Sequence, residues 1–417
     1  MLITNAPKGT KDLIPSESYK WHYLENLFAE VCREFNYKET RVPTFEHTEL
    51  FERGVGDTTD VVEKQMYTFN DKAGRSITLR PEGTASVARS FLQNNLYAEP
   101  MPAKMYYNIP CFRYEQTQHG RLREFHQFGI EVFGAAQPTI DAEVISLALT
   151  FLSRAGLKDL SVHINSIGCK ECRKKYNEIL RDYFRPKFEE LCGTCQSRFE
   201  RNPLRILDCK SPVCQELGKD APRLLDYICE DCREHFEKFK AALDSMGIDY
   251  EIDDGIVRGL DYYSKTVFEI ISGGMTVCGG GRYDGLVEEL GGDPTPAVGF
   301  GLGIERLLIR LAETGFEIPK EKPVDIYIAP LGDKADVFGM KLAYELRLAG
   351  LSIDIDHVGR GLRAQMKYAN KMGCRYTMVI GDNEVEAGKA NLKNMETGEQ
   401  TELEFDKIAQ YITEENR

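Results

Sequence analysis

The stretch from Cys111 to Gly134, CFRYEQTQHGRLREFHQFGIEVFG, constrains the fold more than any other part of the chain. Apolar and polar residues alternate on both sides of a charged centre, the pattern of two strands joined by a loop. In the first arm Phe112 and Tyr114 face one way, and Arg113 and Glu115 the other. In the second arm His126, Phe128, Ile130 and Val132 share one face, while Gln127, Gly129 and Glu131 share the opposite one. A strand that packs one face and puts an amide, a bare backbone and a carboxylate on the other is lining a site. Gly129 leaves room for something to lie against the sheet. Arg121 and Arg123 in the loop are forked cations suited to phosphate oxygens.

A chain of 417 residues suggests two or three domains with ample core, and 42% hydrophobic and 29% charged residues are ordinary for a soluble globular protein. No run of about 18 apolar residues occurs, so no transmembrane helix is expected. The start, MLITNAPKGTKD, has no apolar run either, so a cytoplasmic protein without membrane attachment is expected. A net charge of −13 argues against indiscriminate nucleic-acid binding, although one local basic surface remains compatible with it.

Periodicity predicts a helix from about Tyr19 to Phe35, a strand from Tyr37 to Pro43 and, after a polar connection, a short strand from Ser76 to Arg80. That strand runs into Arg80-Pro81-Glu82-Gly83-Thr84, a strand-to-helix turn whose glutamate and threonine could bind an ammonium group. The same residues also suit a plain turn. Beyond the central hairpin the sequence predicts a helix from Ile140 to Ala155 and a strand from Leu160 to Asn165. Strand character returns at Tyr250 to Ile252 and Thr266 to Ile271. Arg258-Gly259-Leu260-Asp261-Tyr262-Tyr263 precedes the latter strand. Val277 to Leu286, VCGGGRYDGL, is read as a glycine-rich turn carrying Arg282, Tyr283 and Asp284. Ala297 to Leu311, AVGFGLGIERLLIRL, is read as a strand whose glycines let a flat ligand approach, then a helix. Ile304, Leu307, Leu308 and Leu311 form that helix's buried stripe, leaving Arg306 on another face.

Residues 169 to 232 hold eight of the twelve cysteines, as the close pairs Cys169/Cys172, Cys192/Cys195, Cys209/Cys214 and Cys229/Cys232. Pairs this close can both reach one tetrahedral ion, and a reducing cytosol disfavours disulfides, so structural zinc is the expected use. Eight thiolates suit two four-cysteine sites or one site with four bystanders, and spacing does not assign the pairs. Free core thiols are the plain alternative. From about Pro323, strands at Asp325 to Ala329, Ser352 to Asp356 and Tyr376 to Ile380 alternate with helices at Ala335 to Ala349 and Gly361 to Met372, which makes a small α/β domain. Between His357 and Gly381 no acidic residue occurs, and Arg360, Arg363, Lys367 and Lys371 recur at helical spacing beside Tyr368. Against the overall negative charge, this stripe favours RNA contact over a merely solvated face.

These residues carry a resemblance. The hairpin from Phe112 to Phe133 resembles motif 2 of the class II aminoacyl-tRNA synthetases, GLGIERLL at 301 to 308 resembles motif 3, and Pro43 fits the motif 1 position at a dimer interface. RGLDYY at 258 to 263 and GGRYDGL at 280 to 286 resemble the signatures of the histidyl-tRNA synthetase family. RPEGT at 80 to 84 completes the order, and the C-terminal part is similar to that family's anticodon-binding domain. The resemblance implies an α+β catalytic domain, an antiparallel sheet flanked by helices, over 1–168 and 250–322. It also implies a mostly helical insertion over 169–249 and an anticodon-binding α/β domain over 323–417. The family's insertion does not need a cysteine framework, so the cysteine pairs are a departure from it.

The resemblance further implies a ligase acting as a homodimer, with L-histidine, ATP with Mg²⁺ and the histidine tRNA as substrates. Histidine is activated as an adenylate and passed to the 3′ end of the tRNA. By motif position, Arg113 and Arg258 would grip the α-phosphate, Glu115 would lie on the adenine side, and Arg121 and Arg123 would reach the far end of the triphosphate. Arg306 would stack on adenine. Glu82, Thr84 and Gln127 match the α-amino site, Glu131 and Tyr263 the imidazole site, and Tyr283 the pocket wall, with Gly83 and Tyr262 also among the histidine-binding positions. The physics of the pocket agrees, because a small ring with a donor and an acceptor at opposite ends can be read by bonding both. A histidine-sensing regulatory paralogue or a class II synthetase for another amino acid would share the sheet, but the first lacks the C-terminal domain and the second the RGLDYY run.

Overall fold

The computed structural model describes residues 4–56, 59, 61–256, 260–320 and 323–415. The chain divides into two compact units, Met1–Pro319 and Lys320–Arg417. No helix among the described residues is long and apolar enough to cross a membrane.

In the first unit, α1 (Pro15–Glu34) leads into β1 (Lys38–Glu39). The stretch that follows, read from sequence as a polar connection, instead holds β2 (Phe45–His47), α2 (Thr48–Val55) and β3 (Tyr67–Asn70), and β4 (Ser76–Leu79) then runs to α3 (Thr84–Gln93). The long hairpin is β5 (Ala103–Phe112) and β6 (Glu124–Phe133), followed by α4 (Pro138–Arg154) and β7 (Leu160–Ser166). The cysteine-rich segment contributes α5 (Lys170–Phe184), α6 (Gly193–Arg201), α7 (Pro212–Gly218) and α8 (Glu230–Ser245). Last come β8 (Glu251–Ile252), β9 (Ser264–Ser272), β10 (Met275–Arg282), α9 (Leu286–Glu289), β11 (Ala297–Gly303) and α10 (Ile304–Glu313).

Eight strands form one sheet in the order β1-β5-β6-β11-β10-β9-β7-β8, antiparallel except for the parallel edge pairs β1/β5 and β7/β8. One face is packed by α1, α4, α8 and α10. Phe28, Phe128, Ile130, Phe151, Phe239 and Ile304 are all buried there, so the apolar face read for β6 is the core face. The opposite face, toward α3, carries the site. A smaller antiparallel sheet, β2-β4-β3, stands beside it.

The glycine-rich reading of Val277 to Leu286 is corrected, because its first six residues are strand, not turn. Gly280 is needed there for close packing of two backbones, since a Cβ at that position would stand 2.1 Å from the Gly299 carbonyl oxygen on β11. Arg282 at the strand end is fully buried. It is ion-paired with Asp141 of α4, which also accepts from His235 Nε2 of α8 and Thr266 Oγ1, each at 2.7 Å. Arg282 therefore locks two helices onto the sheet, and breaking such a buried pair by removing one partner costs about 3–5 kcal/mol.

The second unit is a five-stranded sheet, with β12 (Ile326–Leu331), β13 (Ile353–Ile355) and β14 (Tyr376–Gly381) parallel and β15 (Lys389–Asn394) and β16 (Gln400–Glu404) added antiparallel, in the order β13-β12-β14-β15-β16. Helices α11 (Asp333–Leu348), α12 (Leu362–Met372), α13 (Asp382–Ala387) and α14 (Ile408–Glu415) accompany it. Ile326, Ile328, Leu342, Met378 and Ile408 are buried in its own core.

Candidate active site

Two groups of side chains meet at the C-terminal end of β4, the site face of β6 and the start of α3. The first is enclosed. Glu131 on β6 is fully buried. It accepts hydrogen bonds from Thr84 Oγ1 at 2.7 Å and Tyr107 Oη at 3.0 Å, and a short one from the Tyr283 hydroxyl. All three partners are neutral, so their hydrogen bonds offset only part of the loss of water around the carboxylate, and the neighbouring Glu82 charge adds to it. Burial pushes its carboxyl from the ordinary 4.5 up to about 8. Glu82 is also buried, and burial raises its carboxyl too, but it accepts from the backbone amides of Thr84 and Ala85, each at 2.8 Å. Those amides are the unpaired donors of the α3 N-terminus, which explains why a Pro-Glu-Gly-Thr turn orients its carboxylate inward. Gln127 Oε1 accepts from the Gly83 amide at 3.2 Å. Tyr262 Oη stands 3.5 Å from Glu82, and its ring lies 4.7 Å from Tyr263 and 5.5 Å from Tyr283, centroid to centroid.

Tyr107 was not among the residues read from sequence, and it corrects the reading of Gly129. The space above that glycine is occupied by the Tyr107 ring, since a Cβ there would stand 2.2 Å from its Cζ. A Cβ on Gly83 would meet the same ring at 2.5 Å, so two glycines clasp one tyrosine and aim its hydroxyl at Glu131. The signal was the alternation Met105, Tyr107, Ile109, Cys111 on β5, which reads as ordinary core. The flat-ligand reading of β11 is corrected in the same way. The gap over Gly299 receives the side chain of its cross-strand partner Glu131, and the gap over Gly301, which pairs with Gly129, receives the side chain of Gln127, two residues along β6.

The second group is cationic and more open. Arg113 Nε donates to the Pro81 carbonyl at 2.8 Å, and its guanidinium lies 5.3 Å from the Phe125 ring centroid. Glu115 sits among the arginines, 3.9 Å from Arg113 and 3.4 Å from Arg121. Arg123 stacks on Tyr114 at 3.9 Å and donates to the Glu115 carbonyl at 3.3 Å. Arg306, in the first turn of α10, donates to the Thr276 carbonyl at 3.2 Å. Burial and then the Arg121 charge hold its pKa below the ordinary value. Four guanidinium groups around one carboxylate leave an excess of positive charge that a polyphosphate would neutralise. Arg113 bridges the groups, because its charge acts on Glu82. Arg258 lies outside the described residues.

In the second unit, Arg360 is half-buried, pairs with Asp356 at 2.6 Å and stacks over Tyr368 at 4.6 Å. Arg363, Lys367 and Lys371 are exposed along α12 at every fourth residue.

A profile described as histidyl-tRNA synthetase matches residues 9–307, and one described as anticodon binding domain matches residues 325–415. The histidine–tRNA ligase of Acetivibrio thermocellus is 57% identical over 411 residues, which are 98% of this chain and 99% of that one. That of Clostridium novyi is 58% identical over 414 residues, 99% and 100% of the two chains. The crystal structure of apo Staphylococcus aureus histidyl-tRNA synthetase superposes with a TM-score of 0.84 at 42% identity, covering 98% of this chain and all of the other.

Proposed function

The chain belongs to the histidyl-tRNA synthetase family, enzymes that join histidine to tRNA, and from that premise we propose how its own residues divide the work. The observation that carries the reading is the enclosed carboxyl of Glu131. Imidazole ordinarily titrates near 6.5. A carboxyl held near 8 and a ring with two nitrogens share one proton between them, and with the proton on either partner they make one short hydrogen bond. An amino acid with an apolar side chain would leave Glu131, Tyr107 and Tyr283 facing carbon, which is how such a pocket rejects it.

Glu82, anchored on the α3 amides, and Gln127 offer oxygens to the α-amino group, with Tyr262 and Tyr263 closing the side. Arg113 stands between this pocket and the arginine cluster, where an α-phosphate joining the two would lie. Arg258, by motif position, is the second cation at that phosphorus. The histidine carboxylate attacks the α-phosphorus, the bond to the bridging oxygen breaks, and pyrophosphate leaves with its charge met by Arg121, Arg123 and Arg306. Mg²⁺, which accompanies ATP in this family, would sit on phosphate oxygens. Glu115 and Glu269, both close enough to act on Arg306, are the hard oxygen donors that fit it. The adenylate then passes its acyl group to the 3′ end of the tRNA.

The exposed cations of α12 are assigned to the tRNA, and structural zinc to the cysteine-rich segment. A homodimer is part of this reading. It is supported by Pro43 at the motif 1 position and by Phe45 and Phe69, about half exposed on the small β2-β4-β3 sheet. We place the enzyme in the cytoplasm. ATP–pyrophosphate exchange measured with each amino acid in turn tests the assignment of the pocket. Exchange with histidine alone is expected, and equal exchange with another amino acid would refute it.

A further inference from the structure

The eight cysteines after β7 gather into two sets. Cys169, Cys172, Cys229 and Cys232 form one, Cys192, Cys195, Cys209 and Cys214 the other, and the four sulfurs of each set all lie within 4.8 Å of one another. We propose that each set binds one structural zinc ion, so that the chain holds two. This deepens the assignment of zinc made above and rests on it. It adds the number of ions, the ligands of each and their place in the architecture.

The geometry is that of a tetrahedral thiolate site. A Zn–S bond of about 2.3 Å places the corners of a tetrahedron about 3.8 Å apart. Cys169 and Cys172 stand 3.5 Å apart, Cys172 and Cys232 4.0 Å, and Cys192 and Cys209 3.8 Å, sulfur to sulfur. These separations are far too long for disulfide bonds, and all eight are free thiols. Ordinary core packing does not produce such sets. The remaining cysteines, Cys32, Cys111, Cys278 and Cys374, are buried and belong to neither.

The backbone around the sulfurs is arranged for negative charge. Cys169, Cys192 and Cys229 each occupy the N-cap of a helix, α5, α6 and α8, and their partners Cys172, Cys195 and Cys232 lie on the first turn. Amides also point directly at sulfur, Cys229 N to Cys172 at 3.1 Å, Cys192 N to Cys214 at 3.3 Å and Ser211 N to Cys209 at 3.4 Å. Donors of this kind orient and stabilise metal-bound thiolates. Gly168 takes a positive φ of 64° to turn the chain into the first set, and a Cβ there would stand 2.5 Å from that of Cys172.

The sets are nested. The first joins the two places where the chain leaves the large sheet after β7 and returns to it through α8, and the second lies wholly within the loop so closed. Both ions therefore brace side chains that reach the histidine pocket. Arg173 of α5 donates to the Asp261 carbonyl at 3.1 Å, and Asn202, at the end of α6, to the Asp261 carboxylate at 3.0 Å, directly before Tyr262 and Tyr263.

Elemental analysis of the full-length protein purified without a metal-affinity tag tests the proposal. Two zinc ions per chain are expected. Cys192→Ser with Cys195→Ser should leave one ion, as should Cys169→Ser with Cys172→Ser. If either pair fails to fold, the wild type decides. Cobalt(II) in place of zinc should give the absorption of tetrahedral thiolate sites and saturate at two equivalents per chain. One ion per chain would overturn the two-site assignment while keeping zinc in the segment, and none would overturn both. Iron in place of zinc, or loss of both ions from a natively folded double variant, would also overturn the proposal. Histidine-dependent pyrophosphate exchange by the wild type, measured alongside, reports on the pocket assignment separately.

Discussion

The hydroxyl of Tyr107 stands 3.0 Å from the carboxyl of Glu131, and both side chains are fully buried. One strand supplies a neutral donor and the next a carboxyl that no cation compensates. Such an arrangement costs stability and is explained by the ligand it awaits.

The first prediction follows from that cost. Glu131 is raised from 4.5 to about 8 by burial, with Glu82 as the facing acid and the hydroxyls of Thr84, Tyr107 and Tyr283 as its partners. A raised carboxyl contributes stability that is fully present below pH 4.5 and is lost as pH rises through about 8. Glu131→Gln cannot ionise and escapes that loss. The thermal midpoint of the histidine-free variant should therefore gain on the wild type between pH 6 and pH 9. A difference constant across that range would show that Glu131 is not held neutral.

Tyr107 and Gly129 can be tested together. Gly129→Ala would drive a methyl into the Tyr107 ring, and overpacking of this kind costs about 1–3 kcal/mol. Tyr107→Phe removes only the donor, worth about 1 kcal/mol, so the histidine KM should rise about fivefold with the fold intact. Circular dichroism and pyrophosphate exchange would read the two effects. An unchanged histidine KM in both variants would remove Tyr107 from the pocket.

Arg258→Ala should lower the adenylation rate by about 10²–10³ by analogy with lost oxyanion donors, with little change in histidine affinity. A large rise in KM at unchanged turnover would make this arginine a substrate-binding group only.

Reversing Arg363 and Lys367 to glutamate should weaken tRNA charging by about tenfold or more and flatten its salt dependence, because phosphate contacts are lost. Pyrophosphate exchange should be unaffected. Equal loss in both assays would contradict the assignment of α12 to RNA.

The β6 face was legible because a strand alternates with period two, so Gln127, Gly129 and Glu131 had to lie together whatever the sheet order. The helices α1, α4 and α10 were legible from their apolar stripes. Tyr107 was not, because an inward tyrosine among Met105, Ile109 and Cys111 looks like core until its neighbour across the sheet is known. Strand β10 was hidden by its own glycines, which serve a close approach between backbones that only tertiary structure reveals. The polar alternation of β15 and β16 is too weak a signal to separate a strand from a loop, and the short elements between Pro43 and Ser76 were lost in the same way. The membership of each cysteine set depends on where α8 returns to the sheet, which spacing alone does not encode.

The central claim is that Glu131 reads the imidazole. Pyrophosphate exchange by Glu131→Gln at saturating ATP, with histidine varied, tests it most directly. Losing a hydrogen bond to an ionisable partner is worth about 1.5–3 kcal/mol, so the histidine KM should rise roughly tenfold to a hundredfold while the KM for ATP stays at the wild-type value. A variant that activates histidine at the wild-type KM, or that loses ATP and histidine affinity equally, would contradict it.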